Sequence, residues 1–141
     1  MNKVLFSFQS DEWATPKEVF ELLDKEFGFT LDAAASDVNH KTDKYFTKED
    51  NGLEKSWGGY SVFCNPPYSD IGRWVEKSYR ESLKPGTTVV MLIPSRTDTK
   101  WFHRYIYKRS EIRFIKGRLK FGDSKNSAPF PSMVVIFRSA D

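Results

Sequence analysis

The chain has 141 residues, 39% hydrophobic and 29% charged, with a formal net charge of +3, which points to one domain, 1–141, rather than two. No apolar run approaches the ~20 residues of a membrane span, and the first residues lack the pattern of a cleaved secretory signal. One cysteine and two histidines can close neither a disulfide nor a structural zinc site, so the expectation is a cytoplasmic domain with no metal site and no membrane association.

A first helix is predicted from Pro16 to Phe27. Thr15 can cap it, Pro16 suits its first position, and Glu18 completes a capping box. Val19, Phe20, Leu22, Leu23 and Phe27 share one face, and Gly28 is a natural stop. Phe29 to Asp32 reads as a short buried strand entering the turn Ala33-Ala34-Ala35. Residues 36–59 are polar, with one short strand near Tyr45.

Tyr60 to Cys64 is a strand that runs directly into Asn65-Pro66-Pro67-Tyr68. A second helix follows from Asp70 to Leu83, with Ile71, Trp74, Val75, Ser78 and Tyr79 on one side. Thr87 to Ile93 is a continuous apolar run of the kind buried on both faces. A third helix is predicted over Thr99 to Lys108, and strands over Ile112–Ile115, Leu119–Phe121 and Met133–Phe137. Strands alternating with helices, then strands alone, give an α/β fold in three layers, a mixed sheet with antiparallel C-terminal strands.

Charge is segregated along this chain. Between Lys100 and Lys120 stand eight basic residues and one acid, Glu111, a net of +7 that leaves −4 for the remainder. A positive third of a chain suggests a polyanionic partner; a solvated basic face is the plainer alternative. Lys100, Arg104 and Lys108 recur every four residues along one side of the third helix, a stripe of the kind a phosphate backbone needs.

The segment that carries chemistry is Asn65-Pro66-Pro67-Tyr68, at the C-terminal end of a strand, where open α/β sheets place their ligands. Two prolines remove two backbone donors and fix φ, and each constrains the residue before it. The product is a rigid corner offering two acceptors, the Asn65 side-chain oxygen and the Pro66 carbonyl, beside the aromatic face of Tyr68. Such a corner suits the exocyclic amine of a planar base. Holding both N–H bonds turns the nitrogen lone pair out of conjugation, and no strong general base is needed if the proton leaves after transfer. A proline turn closing a strand is the structural alternative.

Asn65-Pro66-Pro67-Tyr68 resembles the [DNS]PP[YFW] signature of amino-methyltransferases that use S-adenosylmethionine. Asp11 to Pro16, Leu31 to Ser36, Leu92 to His103, Gly117 to Phe121 and Ala128 to Ser132 resemble, in order, the phage-type DNA N6-adenine methyltransferase (Dam) family. The resemblance runs from about Asp11 to Phe137. It implies a compact Rossmann-like methyltransferase fold, S-adenosylmethionine as cofactor, and adenine N6 in DNA as the acceptor. Asn65, Pro66, Pro67 and Tyr68 would then be catalytic.

By the same resemblance Trp13, Thr15 and Pro16 would wrap the methionine end of the cofactor, whose carboxylate suits a helix N-terminus. Asp32, Ala33 and Ala34 would form the cofactor loop, with alanines where glycines are usual, and Asp50 would accept from the cofactor's adenine amine. Only 32 residues separate Asp32 from Asn65, and the acid for the ribose hydroxyls is not identifiable; Asp37 and Asn39 are candidates. Arg96, Lys100, Arg104 and Arg118 would contact phosphates. A duplex adenine must leave the stack to be methylated, and Phe121 or Phe130 would sandwich it against Tyr68.

The domain would carry no separate target-recognition module, and a homodimer is compatible with the sequence without being visible in it. Two alternatives stay open: an RNA or protein-glutamine methyltransferase of the same fold, and a non-catalytic DNA-binding relative. Restriction-modification biology in a bacteriophage, with the host cytoplasm as location, follows from the family alone.

Overall fold

The structure, a computed structural model, describes residues 14–122 and 125–139; Trp13 lies outside them. A five-stranded mixed sheet forms the centre, in the order β1-β2-β3-β5-β4. Strands β1 (Leu31–Asp32), β2 (Ser61–Cys64) and β3 (Thr88–Pro94) run parallel, and β5 (Ser132–Arg138) lies antiparallel between β3 and β4 (Glu111–Phe114). β4 therefore points the same way as β1 to β3, and only β5 is reversed.

Alternation along the strands sorts the core into two sides. Val62, Cys64, Val89, Met91, Ile93, Met133 and Val135 pack with Trp74 and Val75 of helix α2 (Ile71–Ser82). Phe63, Val90, Leu92, Val134 and Ile136 pack with Leu23 of helix α1 (Lys17–Phe27) and with Phe29 and Phe121. The result is a mixed α/β domain with one helix on each face of the sheet. Trp57, wholly buried, fixes the long connection after β1 by donating its indole N–H to the Gly52 carbonyl at 3.0 Å.

Several elements depart from the sequence reading for physical reasons. Thr15 does not cap α1: Pro16 is the N-cap residue, no side chain bonds the first turn, and the helix starts at Lys17. The predicted third helix shortens to residues 100–106 and turns π-helical over Phe102–Ile106, where the Tyr107 N–H reaches the Phe102 carbonyl at 2.9 Å. Phe102 and Ile106 are both buried, and a chain that becomes extended at Tyr107 and left-handed at Lys108 (φ 64°) cannot continue a helix. The Leu119–Phe121 strand is absent; Leu119 makes one backbone bond, from the Ala128 N–H at 2.7 Å. Tyr45 forms only an isolated bridge to Asp32.

Candidate active site

The C-terminal ends of β1, β2 and β3 lie together because the strands are parallel. Chain segments leaving β1 and β2, with Ala14 and Thr15, line a cavity of about 650 Å³, inside the range of small-molecule and cofactor sites. Ala14 and Thr15 line one part, Asp32 to Asn39 and Lys41 another, and Asn65, Pro67, Arg73 and Trp74 close it.

Asp32 sits at the end of β1 and is 4% exposed. Burial raises its carboxyl above the ordinary value, opposed by backbone N–H bonds from Lys41, at 2.9 Å, and Ala34. The carboxylate thus ties the connection after β1 to the strand end, on the cavity wall. Gly52 brings the next wall close: a Cβ there would stand 2.3 Å from the Ala33 carbonyl oxygen and 3.1 Å from the Trp74 ring. That approach needs glycine.

Asn65 follows β2 directly and its amide is held at both ends. Nδ2 donates to Thr15 Oγ1 at 2.9 Å, and the Tyr68 hydroxyl donates to Oδ1 at 2.9 Å. Thr15 is 6% exposed, so its hydroxyl serves Asn65 instead of the helix start. The Tyr68 hydroxyl also lies 3.5 Å from the Leu92 carbonyl oxygen, and burial pushes its pKa far up. Its ring meets Phe130 at 5.5 Å and Phe121 at 6.5 Å, both edge-on. Asn65 therefore stands between the cavity and an aromatic cluster.

The structure brings together Thr15, Asp32, Ala33, Ala34, Asn65 and Pro67 on the cavity wall, with Asp37 and Asn39. Pro16 and Pro66 are not on that wall, and Pro66 is buried. Asp50 is not on it either. Its carboxylate accepts from the Thr47 N–H at 2.9 Å and hydroxyl at 3.1 Å, which holds its pKa down and closes a local turn. Phe121 and Phe130 do reach Tyr68, but the three rings form no parallel sandwich, and Phe121 is a core residue.

Sequence reasoning missed Gly52, Leu53, Phe63 and Trp74 as cavity residues. Trp74 carried a core signal because it is one, at 7% exposed. Gly52 carries a usable signal, its place in Asp50-Asn51-Gly52, a composition that favours tight turns.

The basic stretch is divided between the two ends of the sheet. Arg96 and Lys100 follow β3, and Lys116, Arg118 and Lys120 follow β4, at the cavity end; the Ser95 N–H bonds the Pro131 carbonyl at 2.9 Å there. The chain then crosses through Arg104 to Lys108 and Arg109, which precede β4 at the far end. Arg113 is already engaged, with both Glu26 carboxylate oxygens at 2.7 Å and with Glu111 at 2.6 Å.

A mixed α/β sheet whose parallel strands end at a cofactor-sized cavity is the architecture of a ligand-binding domain. The chain belongs to the DNA N-6-adenine-methyltransferase (Dam) family, whose model matches residues 4–141. It is 34% identical over 135 residues to the DNA N-6-adenine-methyltransferase of Haemophilus phage HP1 (strain HP1c1), covering 90% of this chain and 78% of that one. It is 36% identical over 111 residues to the enzyme of the same name from Escherichia phage T1, covering 77% of this chain and 46% of the relative. No helix among the described residues is long and apolar enough to cross a membrane.

Proposed function

We propose that this chain transfers a methyl group from S-adenosylmethionine to adenine N6 in DNA, on a compact Rossmann-like methyltransferase fold, with Asn65 and Pro66 receiving the amine. The observation that carries this reading is Asn65 itself, which lines the cavity and touches the aromatic cluster through Tyr68. Cofactor and base would meet at that residue.

The cavity fits the cofactor by volume and by chemistry. Asp32 offers a buried carboxylate to the methionine ammonium, the close Gly52–Ala33 approach leaves a smooth wall, and Trp74 offers a ring. Asp37 and Asn39 stand on the same wall as candidates for the ribose hydroxyls. When bound, S-adenosylmethionine supplies an electrophilic methyl group on its sulfonium.

The protein's part is positional. Asn65 Oδ1 has two lone pairs, so it can accept from an amine while the Tyr68 hydroxyl remains bonded. The Pro66 carbonyl takes the second N–H, and the proline-fixed backbone holds both acceptors without reorganisation. After transfer, the methylated nitrogen carries a surplus and strongly acidic proton, which passes to water without a general base. The cations at the cavity end, Arg96, Lys100 and Arg118, would hold phosphates while the base enters, and Phe130 would flank it beside Tyr68.

The test is transfer of labelled methyl from S-adenosylmethionine to unmethylated duplex DNA, with RNA and protein acceptors in parallel. Label recovered from DNA as N6-methyladenine is the expected result. Label in RNA or protein alone would overturn the acceptor, and none in any lane from folded protein would overturn the reaction.

A further inference from the structure

We infer that Thr15 is the positioning residue of Asn65, anchoring its amide where the amide can meet the substrate; this rests on the reading of Asn65 as the amine's acceptor. An asparagine amide has two near-equivalent settings half a turn apart, one end accepting and the other donating. Only the setting that presents Oδ1 can receive an amine N–H. The reverse setting would oppose two donors.

Among the described residues, one bond holds each end of the amide. Tyr68 donates to Oδ1, the same atom the substrate amine needs. Thr15 accepts from Nδ2 at 2.9 Å, the end the substrate cannot use. Thr15 therefore anchors the end that the amine does not use, and Tyr68 shares Oδ1 with the amine. Thr15 comes from a segment 50 residues away in sequence, is 6% exposed, and contributes no cap to α1. The segment is itself tied down, since the Ala14 carbonyl accepts from the Gly122 N–H at 2.9 Å.

Because Thr15 also lines the cavity, contact with the cofactor is the competing role, and two substitutions separate them. Thr15→Val keeps the shape and deletes the hydroxyl; Thr15→Ser keeps the hydroxyl. The readouts are kcat for N6-methyladenine formation, the S-adenosylmethionine Kd, and the Asn65 side-chain NH2 resonances in the protein alone. Thr15→Val should lower kcat by about 10- to 100-fold, the scale of a misplaced reacting group, with Kd unchanged within about 3-fold and the Asn65 NH2 protons shifted. Thr15→Ser should restore both kcat and the shifts.

Equal impairment by Val and Ser would assign Thr15 to packing, and a weakened Kd with unchanged kcat would assign it to the cofactor; either overturns the inference. Unmoved Asn65 resonances in Thr15→Val overturn it as well, and this readout stands even if the wild-type chain methylates nothing, which would instead refute the proposed reaction. Should Thr15→Val fail to fold, Thr15→Ala takes its place with the same readings.

Discussion

A carboxylate buried beside a cavity is a costly group to keep, and Asp32 is one. Desolvation raises its pKa from the ordinary value of 3.8, more than its backbone donors lower it. A carboxyl with a raised folded pKa binds its proton more tightly in the folded chain. Its contribution is most favourable below the unfolded pKa and is lost as pH rises through the folded one. The Asp32→Asn variant lacks this titration. Between about pH 4 and pH 7, the difference in urea midpoint should therefore move in favour of the variant, while S-adenosylmethionine binding is lost. A pH-independent difference would contradict the assignment of a raised pKa. An acid held against its own solvation, facing a cavity, supports a role in ligand binding.

At the scale of elements, one position where a local rule fails serves the site. α1 begins without a side-chain cap, although a good capping residue precedes it; such a bond is worth about 1 kcal/mol, and Thr15 spends its hydroxyl on Asn65 instead. Local sequence contains no sign of a partner 50 residues away. The strand entering Asn65-Pro66-Pro67-Tyr68 and the apolar β3 were legible because each depends on its own residues and their spacing; both appear within a residue or two of expectation. The third helix was misjudged because Phe102 and Ile106 share a face in either helical form, and only the turn at Tyr107 and Lys108 decides between them.

Gly52 gives an element-scale prediction. Gly52→Ala would force the cavity's connection away from Ala33, where the added carbon meets backbone at 2.3 Å. A loss of about 1–3 kcal/mol in stability is expected, with weaker cofactor binding. Gly72→Ala, whose carbon would meet the Trp101 ring at an ordinary 3.4 Å inside α2, should be neutral or slightly stabilising. Chemical denaturation of the two variants side by side checks the contrast.

Across the whole molecule, charge follows topology more than sequence. The stretch from Lys100 to Lys120 is continuous along the chain, yet the crossing from β3 to β4 sends Lys108 and Arg109 to the end of the sheet opposite the cavity. Periodicity could not show this, because the stripe assumed a helix reaching Lys108, and the helical segment ends at Ile106. DNA held at the cavity end should therefore feel Arg118 and not Lys108. Arg118→Ala should reduce the slope of log affinity against log salt by about 0.9, one phosphate contact, and Lys108→Ala should leave it unchanged. Fluorescence titrations of a duplex at several salt concentrations would show it. Equal effects from the two variants would contradict the division.

The central claim is that Asn65 holds the amine that receives the methyl group. The most direct measurement is the single-turnover rate of N6-methyladenine formation by Asn65→Ala against the unaltered chain, at saturating S-adenosylmethionine and DNA. Loss of one preorganised polar contact to the reacting group predicts a fall of about 10²- to 10³-fold, with cofactor binding retained. An unchanged rate would contradict the account.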